Sequence, residues 1–279
     1  MKRLYIDCSM GAAGDMLTGA LLELMPDREK ALAMLNAAGI PGIRYEAEDS
    51  VKCGVKGTHV TVTYNGEEEV TEDVSSEEAH AHDHDHTHVH GRTHDHDNEH
   101  DHDHSHAHHT LGDIEDIIHS LKIPESIKED VTGVYEIIAE AESIAHDEPV
   151  FEVHFHEVGS MDAVADAAAV CMLMDEIAPD AVIVSDIHVG AGFVKCAHGV
   201  LPVPAPATAN ILAGLPVYGG EVQGELCTPT GAALLKYFGT EFGTAYKETG
   251  EKQNISIGRG MGRKDFDRPN CVTVYLVTD

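Results

Sequence analysis

From Glu67 to His109 the chain carries 14 acidic residues, one arginine, 14 histidines and almost nothing apolar. No hydrophobic core can run through such a stretch, because it buries too little surface to offset the entropy of ordering it. Whatever fold this sequence adopts must be assembled from the residues on either side. The expected organisation is an N-terminal βααββ unit over 1–66, a disordered acidic and His-rich metal-binding linker over 67–109, and a main α/β domain over 110–279.

The histidines of the linker are His80, His82, His84, His86, His88, His90, His94, His96, His100, His102, His104, His106, His108 and His109. Alternating imidazole and carboxylate offers many interchangeable metal sites. A working metal needs fixed, supported ligands, which a flexible tract does not supply. The tract therefore reads as a reservoir, with the working site elsewhere; a low-complexity segment without a role is the other reading.

The flanks read as globular sequence. Residues 3–7 (RLYID) predict a strand, SMGAAGD a glycine turn and residues 16–25 a helix, and a second helix over 27–38 ends at Gly39 and Pro41. Strands follow at 43–49 and 57–64, the latter alternating Val60, Val62 and Tyr64 with polar residues. Thr110 is a candidate N-cap for LGDIEDIIHSL, and Pro124 opens a long helix with Ile127, Val131, Val134, Ile138 and Ala141 on one face. Residues 150–156 predict a strand, 161–177 a helix, 180–189 a buried strand and 206–213 a helix after a proline-rich run; CTPTGAALLKYFG predicts a capped helix. Strands near 252–257 and 271–277 flank a Gly- and Arg-rich loop. Strands alternating with helices give a mixed α/β (α+β) architecture.

Charge narrows the function. With 18 basic and 49 acidic residues the net charge is -31, which repels nucleic acid and anionic membranes. No run approaches the about 18 apolar residues of a membrane span, and Asp7 and the glycines interrupt any signal-peptide core. Cys8, Cys53, Cys171, Cys196, Cys227 and Cys271 are scattered and form no CxxC pair, which fits a reducing, cytoplasmic setting.

The densest chemical signal is VFEVHFHEVGSMDAVAD, residues 150–166. On a strand His154 and His156 share a face. Ser160 can cap the next helix, which puts Asp162 in its first turn and Asp166 one turn on. With Glu157, imidazoles and carboxylates converge on one strand-to-helix junction, a donor set for divalent nickel, zinc, iron or manganese. The alternative makes Asp162 helix-end electrostatics and the histidines core groups. Asp7 and Asp15 bracket the first glycine turn and could hold a metal or act as turn and cap residues. His198, opening HGVLPVPAPAT, and His188, at a strand end, could complete a metal site or move a proton. In ISIGRGMGRKDFDRPN, Gly258 and Gly260 with Arg259, Arg263, Lys264 and Arg268 form a candidate phosphate site in an acidic chain. A turn with a solvated basic edge is the other reading. The helix starts SMGAAGDM and TPTG are weaker candidates for cradling an anion.

Taken in order, YIDCSMGAAGDMLTGALL, the His-rich insert, VHFHEVGSMDAVAD, HGVLPVPAPAT, TPTGAALLK and GRGMGRKDFDRPN resemble the nickel-insertion proteins of nickel-pincer cofactor biosynthesis, the LarC family, over essentially the whole chain. The resemblance implies an enzyme, a nickel chelatase of the lyase class. It would insert Ni(2+) into pyridinium-3,5-bisthiocarboxylic acid mononucleotide, forming one carbon–metal and two sulfur–metal bonds, for lactate racemase maturation. It also implies CTP with Mg or Mn, used by a C-terminal domain for which no room follows RPNCVTVYLVTD. Expected partners are a separate C-terminal LarC polypeptide, the recipient racemase and further copies of this chain in a homo-oligomer. On this reading His154, His156, Asp162, Asp166, Asp7 and Asp15 attend the metal. His198 or Glu157 accepts the displaced ring proton, and Arg259, Arg263, Lys264, Arg268, Gly258 and Gly260 hold the substrate phosphate. The competing readings are a nickel storage protein or metallochaperone without chemistry, and a metal-dependent phosphoester hydrolase.

Overall fold

Leu4 and Ile6 are buried while their neighbours are not, a two-residue period that lays one face of the first strand on the core. The fold is given by a computed structural model, which describes residues 1–68, 72–74, 109–153, 155, 159–196, 199–247 and 254–278. Seven strands make one mixed sheet. They are β1 (Lys2–Asp7), β2 (Ile43–Lys52), β3 (Val55–Tyr64), β4 (Ala181–Val184), β5 (Glu241–Phe242), β6 (Asn254–Met261) and β7 (Cys271–Thr278). Their order is β5-β4-β1-β7-β6-β3-β2. β1 is parallel to β4, with Leu4 opposite Val182, and antiparallel to β7, with Asp7 opposite Thr273. β6 is antiparallel to β7 and parallel to β3. It follows that β1, β3, β4 and β6 all run the same way, and the loops leaving them emerge along one edge, where α/β sheets place ligands.

Seven helices lie among the described residues: α1 (Gly14–Leu22), α2 (Arg28–Asn36), α3 (Leu111–Ser120), α4 (Glu125–His146), α5 (Met161–Ile177), α6 (Pro206–Ile211) and α7 (Pro229–Phe238). Thr110 caps α3 as expected, its Oγ1 accepting the Asp113 N–H at 3.3 Å while the Asp113 carboxylate accepts the Thr110 N–H at 2.8 Å. α1 lies on β6 and β3, α5 lies against α1, and α4 packs outside them on α5, α6 and α7. The alanines of α5 suit this middle position, since their small side chains let helices approach on several sides. One core cluster runs from Leu4 to Val274, so strands and helices from both sides of the His-rich segment share one sheet and one core.

The structure corrects four local expectations. Disorder does not begin at residue 67. Glu67 exchanges backbone hydrogen bonds with Tyr64, and Glu72–Val74 pairs antiparallel with Phe193–Cys196. An added edge strand needs only main-chain partners, so polar composition does not forbid it. The described residues of 150–156 do not read as the expected strand: the Glu152 N–H closes a turn on Pro149 at 2.8 Å, and among them only Phe155 makes an isolated bridge, to His109. The apolar run 180–189 is broken at Ser185 and Asp186 into β4 and the short strand Ile187–His188. Finally, β6 continues to Met261, so Gly258, Arg259 and Gly260 are strand residues and not part of a loop.

Candidate functional site

The loops leaving β1, β3 and β6 and the first turns of α1, α5 and α7 enclose a cavity of about 230 Å³. α1 contributes Asp15, α5 contributes Asp162 and Asp166, and α7 contributes Thr230. Glu68 comes from the segment after β3 and Arg263 and Lys264 from the loop after β6. Asp15, Asp162 and Thr230 each occupy the second position of their helix, so three positive helix ends point at one space.

Local structure explains how the acids are held. Ala13 has no side chain to cap α1. The Asp166 carboxylate reaches over from α5 and accepts the Asp15 N–H in its place. Gly14 makes room for this, because a Cβ there would meet the Asp166 Cβ and Cγ at 2.4 Å. Burial raises the Asp15 carboxyl above its ordinary range, opposed by the Met16 N–H, His59 and Arg263. Asp166 is pushed up further, by burial first and then by the charges of Asp15 and Asp162. Asp166 Oδ1 is buried without a hydrogen-bond partner. A divalent cation beside these oxygens would satisfy that atom and relieve the repulsion, so the donor chemistry fits a hard or borderline dication held exchangeably.

The cationic wall is braced from both sides. Lys52 Nζ donates to the carbonyls of Arg263 at 2.9 Å and Lys264 at 3.0 Å and to Asp265 at 2.5 Å. From the other side, Asn270 Nδ2 donates to the Lys264 carbonyl at 2.9 Å, and the Gly262 N–H to the Asn270 carbonyl at 2.9 Å. Arg263 pairs with Glu68 at 3.0 Å. The cavity thus offers carboxylates for a cation and, on the loop beside them, cations for an anion.

The structure brings together Asp15, Asp162, Asp166, Arg263 and Lys264 among the residues expected from sequence. It does not bring Asp7 to them. Asp7 accepts the Ser9 N–H at 2.9 Å and does not line the cavity. His188 is likewise outside the cavity lining, buried with Nδ1 donating to the Ser9 carbonyl at 3.1 Å and its ring stacked on Tyr218 at 4.6 Å. Gly258 and Gly260 face α1: a Cβ would meet Ala20 O at 2.0 Å and Met16 O at 1.7 Å respectively, so the close approach they permit is that of a helix. Arg259 donates its backbone N–H to Glu23 at 2.8 Å, and Arg268 is ion-paired with Glu221 on the surface. His154, His156, Glu157 and His198 lie outside the described residues, as do the reservoir histidines except His109. Among the described residues no three His, Cys, Asp or Glu side chains stand in a ligating arrangement. Sequence reasoning missed His59, whose Nδ1 donates to the Met261 carbonyl at 3.0 Å, and the cavity-lining Glu68 and Glu225. Only the alternation of β3 marked His59, and nothing local marks the two glutamates.

The sequence profile of the nickel insertion protein family matches residues 4–279. The chain is 40% identical over 278 residues to the pyridinium-3,5-bisthiocarboxylic acid mononucleotide nickel insertion protein of Clostridium kluyveri, covering 99% of this chain and 62% of that protein. The protein of the same name from Clostridium acetobutylicum is 40% identical over 281 residues, covering 99% of this chain and 64% of its own length. That of Geobacillus kaustophilus is 34% identical over 278 residues, with 99% and 60% covered. The chain therefore spans about three-fifths of the length of these curated relatives. No solved structure shows a significant match. The match over residues 4–279 spans the segments that form the cavity, and the chain belongs to the nickel insertion protein family.

Proposed function

We propose that this chain inserts Ni(2+) into pyridinium-3,5-bisthiocarboxylic acid mononucleotide. The observation that carries the reading is the single cavity in which the Asp15, Asp162 and Asp166 carboxylates adjoin the Arg263 and Lys264 loop. The carboxylates, joined by His154 and His156, hold the incoming ion through exchangeable oxygen and nitrogen donors. The basic loop holds the mononucleotide. Nickel then gains two bonds from thiocarboxylate sulfur and one from ring carbon. That carbon loses its C–H bond, and the proton goes to His198 or Glu157. CTP with Mg or Mn, a C-terminal polypeptide that uses it, the recipient racemase, a homo-oligomeric assembly and a cytoplasmic setting belong to the same proposal. Supporting the setting, five described cysteines are free, and no helix among the described residues is long and apolar enough to cross a membrane.

Two experiments test the division between site and reservoir. Replacing His154 and His156 together by alanine is expected to abolish nickel transfer, assayed with the C-terminal part supplied in trans, while far-UV circular dichroism stays unchanged. Transfer at the wild-type rate would remove both histidines from the site. Deleting residues 80–109 is expected to lower nickel stoichiometry to that of the folded site while transfer persists at saturating nickel. Transfer lost even with excess nickel would instead make the tract part of delivery.

A further inference from the structure

α7 differs from the other two helices that open onto the cavity. α1 and α5 each carry an acid at the second position, Asp15 and Asp162, whereas α7 carries Thr230 there and no acid in its first turn. The first turns of α1 and α5 carry carboxylates of their own and that of α7 carries none; the acid nearest before it in the chain is Glu225, which also lines the cavity. Its donors can be counted. Pro229 has no N–H. The Gly231 N–H goes to Thr228 Oγ1 at 3.1 Å and the Ala232 N–H to the Thr228 carbonyl at 2.8 Å. What remains is the N–H and the hydroxyl of Thr230, neither of which donates to a described residue. Yet Thr230 is only 6% exposed, and it lines the cavity. Donors that open onto a cavity are free to be taken up by an acceptor on a ligand. Gly231 fixes where these donors stand, since a Cβ there would meet Ala12 O at 2.2 Å and lift α7 off the turn that enters α1.

We infer that the N-terminus of α7, through Thr230 together with Arg263, is the seat of the phosphomonoester of a pyridine mononucleotide. This rests on the proposed substrate class and adds where the anion sits. A phosphate dianion is repelled by the Asp15, Asp162 and Asp166 wall and attracted to α7, of the three helices opening onto the cavity the one with no acid in its first turn. Placing it there leaves the carboxylates to the cation.

The test uses the whole chain and three probes: nicotinic acid mononucleotide, its nucleoside, and inorganic phosphate, each titrated calorimetrically. Thr230→Val removes the hydroxyl at nearly constant shape and is expected to weaken mononucleotide binding about tenfold while nucleoside binding is unchanged. Thr230→Ser restores the hydroxyl and is expected to bind as the wild type does, which a merely structural role for Thr230 would not require. A valine variant that binds mononucleotide as tightly as the wild type overturns the assignment, as does one that loses both pyridine compounds equally. Phosphate separates this inference from the substrate reading. A wild-type chain that ignores both pyridine compounds but binds phosphate, about tenfold more weakly as Thr230→Val, keeps the phosphate seat and loses the pyridine substrate. A chain that binds none of the three overturns both.

Discussion

Replacing Asp166 by asparagine is expected to abolish nickel transfer and, at the same time, to make the metal-free protein more stable. Asp166 is buried beside Asp15 and Asp162, and all three effects raise its carboxyl above the ordinary aspartate range; burial does the same to Asp15. A carboxyl raised in the folded state contributes stability that is whole below its unfolded-state value and is lost as pH rises through the folded-state value. The empty wild-type protein should therefore lose stability from acid toward neutral pH, and Asp166→Asn should lose less over that window. The amide oxygen can still accept the Asp15 N–H, so the α1 cap survives while the charge goes. A gain of about 1 kcal/mol at neutral pH is expected, seen as a rise in Tm of roughly 2–4 °C. Nickel reverses the ranking. At a hundred times its Kd the ion stabilises the wild type by about 2.7 kcal/mol and the variant by little, and transfer by the variant falls about 100-fold or more. Unchanged transfer, or a variant less stable than the empty wild type at neutral pH, would take Asp166 out of the proposed metal site.

How far the sequence disclosed this site depends on which physical signal each residue carried. Asp162 was legible because an acid at the start of a helix has a local cause, the helix dipole, and Asp166 followed from helical period. Arg263 and Lys264 stood out as cations in a chain of net charge -31. Asp7 and Asp15 looked equivalent in sequence, one on each side of the same turn. The turn separates them, and only the packing of Gly14 on Asp166 shows which one enters the cavity. Gly258 and Gly260 were legible as positions of close backbone approach. Whether a ligand or a helix makes that approach is decided by tertiary packing, which brings α1 onto β6. The alternation of residues 150–156 favoured a strand, but the described residues of that segment show no strand pairing beyond the single bridge of Phe155 to His109. Thr230 was visible only as part of a helix start; its importance comes from what α7 lacks relative to α1 and α5, a comparison that needs all three helices in place.

The packing of α1 on β6 leads to the largest expected loss of stability. Gly260→Ala would put a Cβ 1.7 Å from the Met16 carbonyl oxygen and 2.7 Å from the Ala20 nitrogen. Both are backbone atoms of one helix, so no rotamer change can relieve the clash; α1 as a whole must move. Gly19 on α1 faces the same contact, its own Cβ position lying 2.7 Å from Thr58 O and 3.1 Å from the Gly260 Cα, so the helix has no slack in that direction. Overpacking of this kind, backbone against backbone, is expected to cost about 3 kcal/mol or more, a fall in Tm of roughly 6–12 °C. Gly112→Ala is the matched control. Gly112 is exposed in the first turn of α3, with nothing nearer to an added Cβ than Thr110 Oγ1 at 3.8 Å. There the methyl group restricts only the unfolded chain and is expected to stabilise by about 0.5–1 kcal/mol. The site should respond with the fold: Met16 follows Asp15 directly, so lifting α1 from β6 draws that carboxylate away from Asp166. Gly260→Ala should therefore lose nickel binding even at temperatures where it stays folded, and Gly112→Ala should bind as the wild type does. A Gly260→Ala protein with wild-type Tm would show that α1 does not rest on β6 as described, and one that is destabilised yet binds nickel normally would show that the carboxylate pair does not depend on that contact.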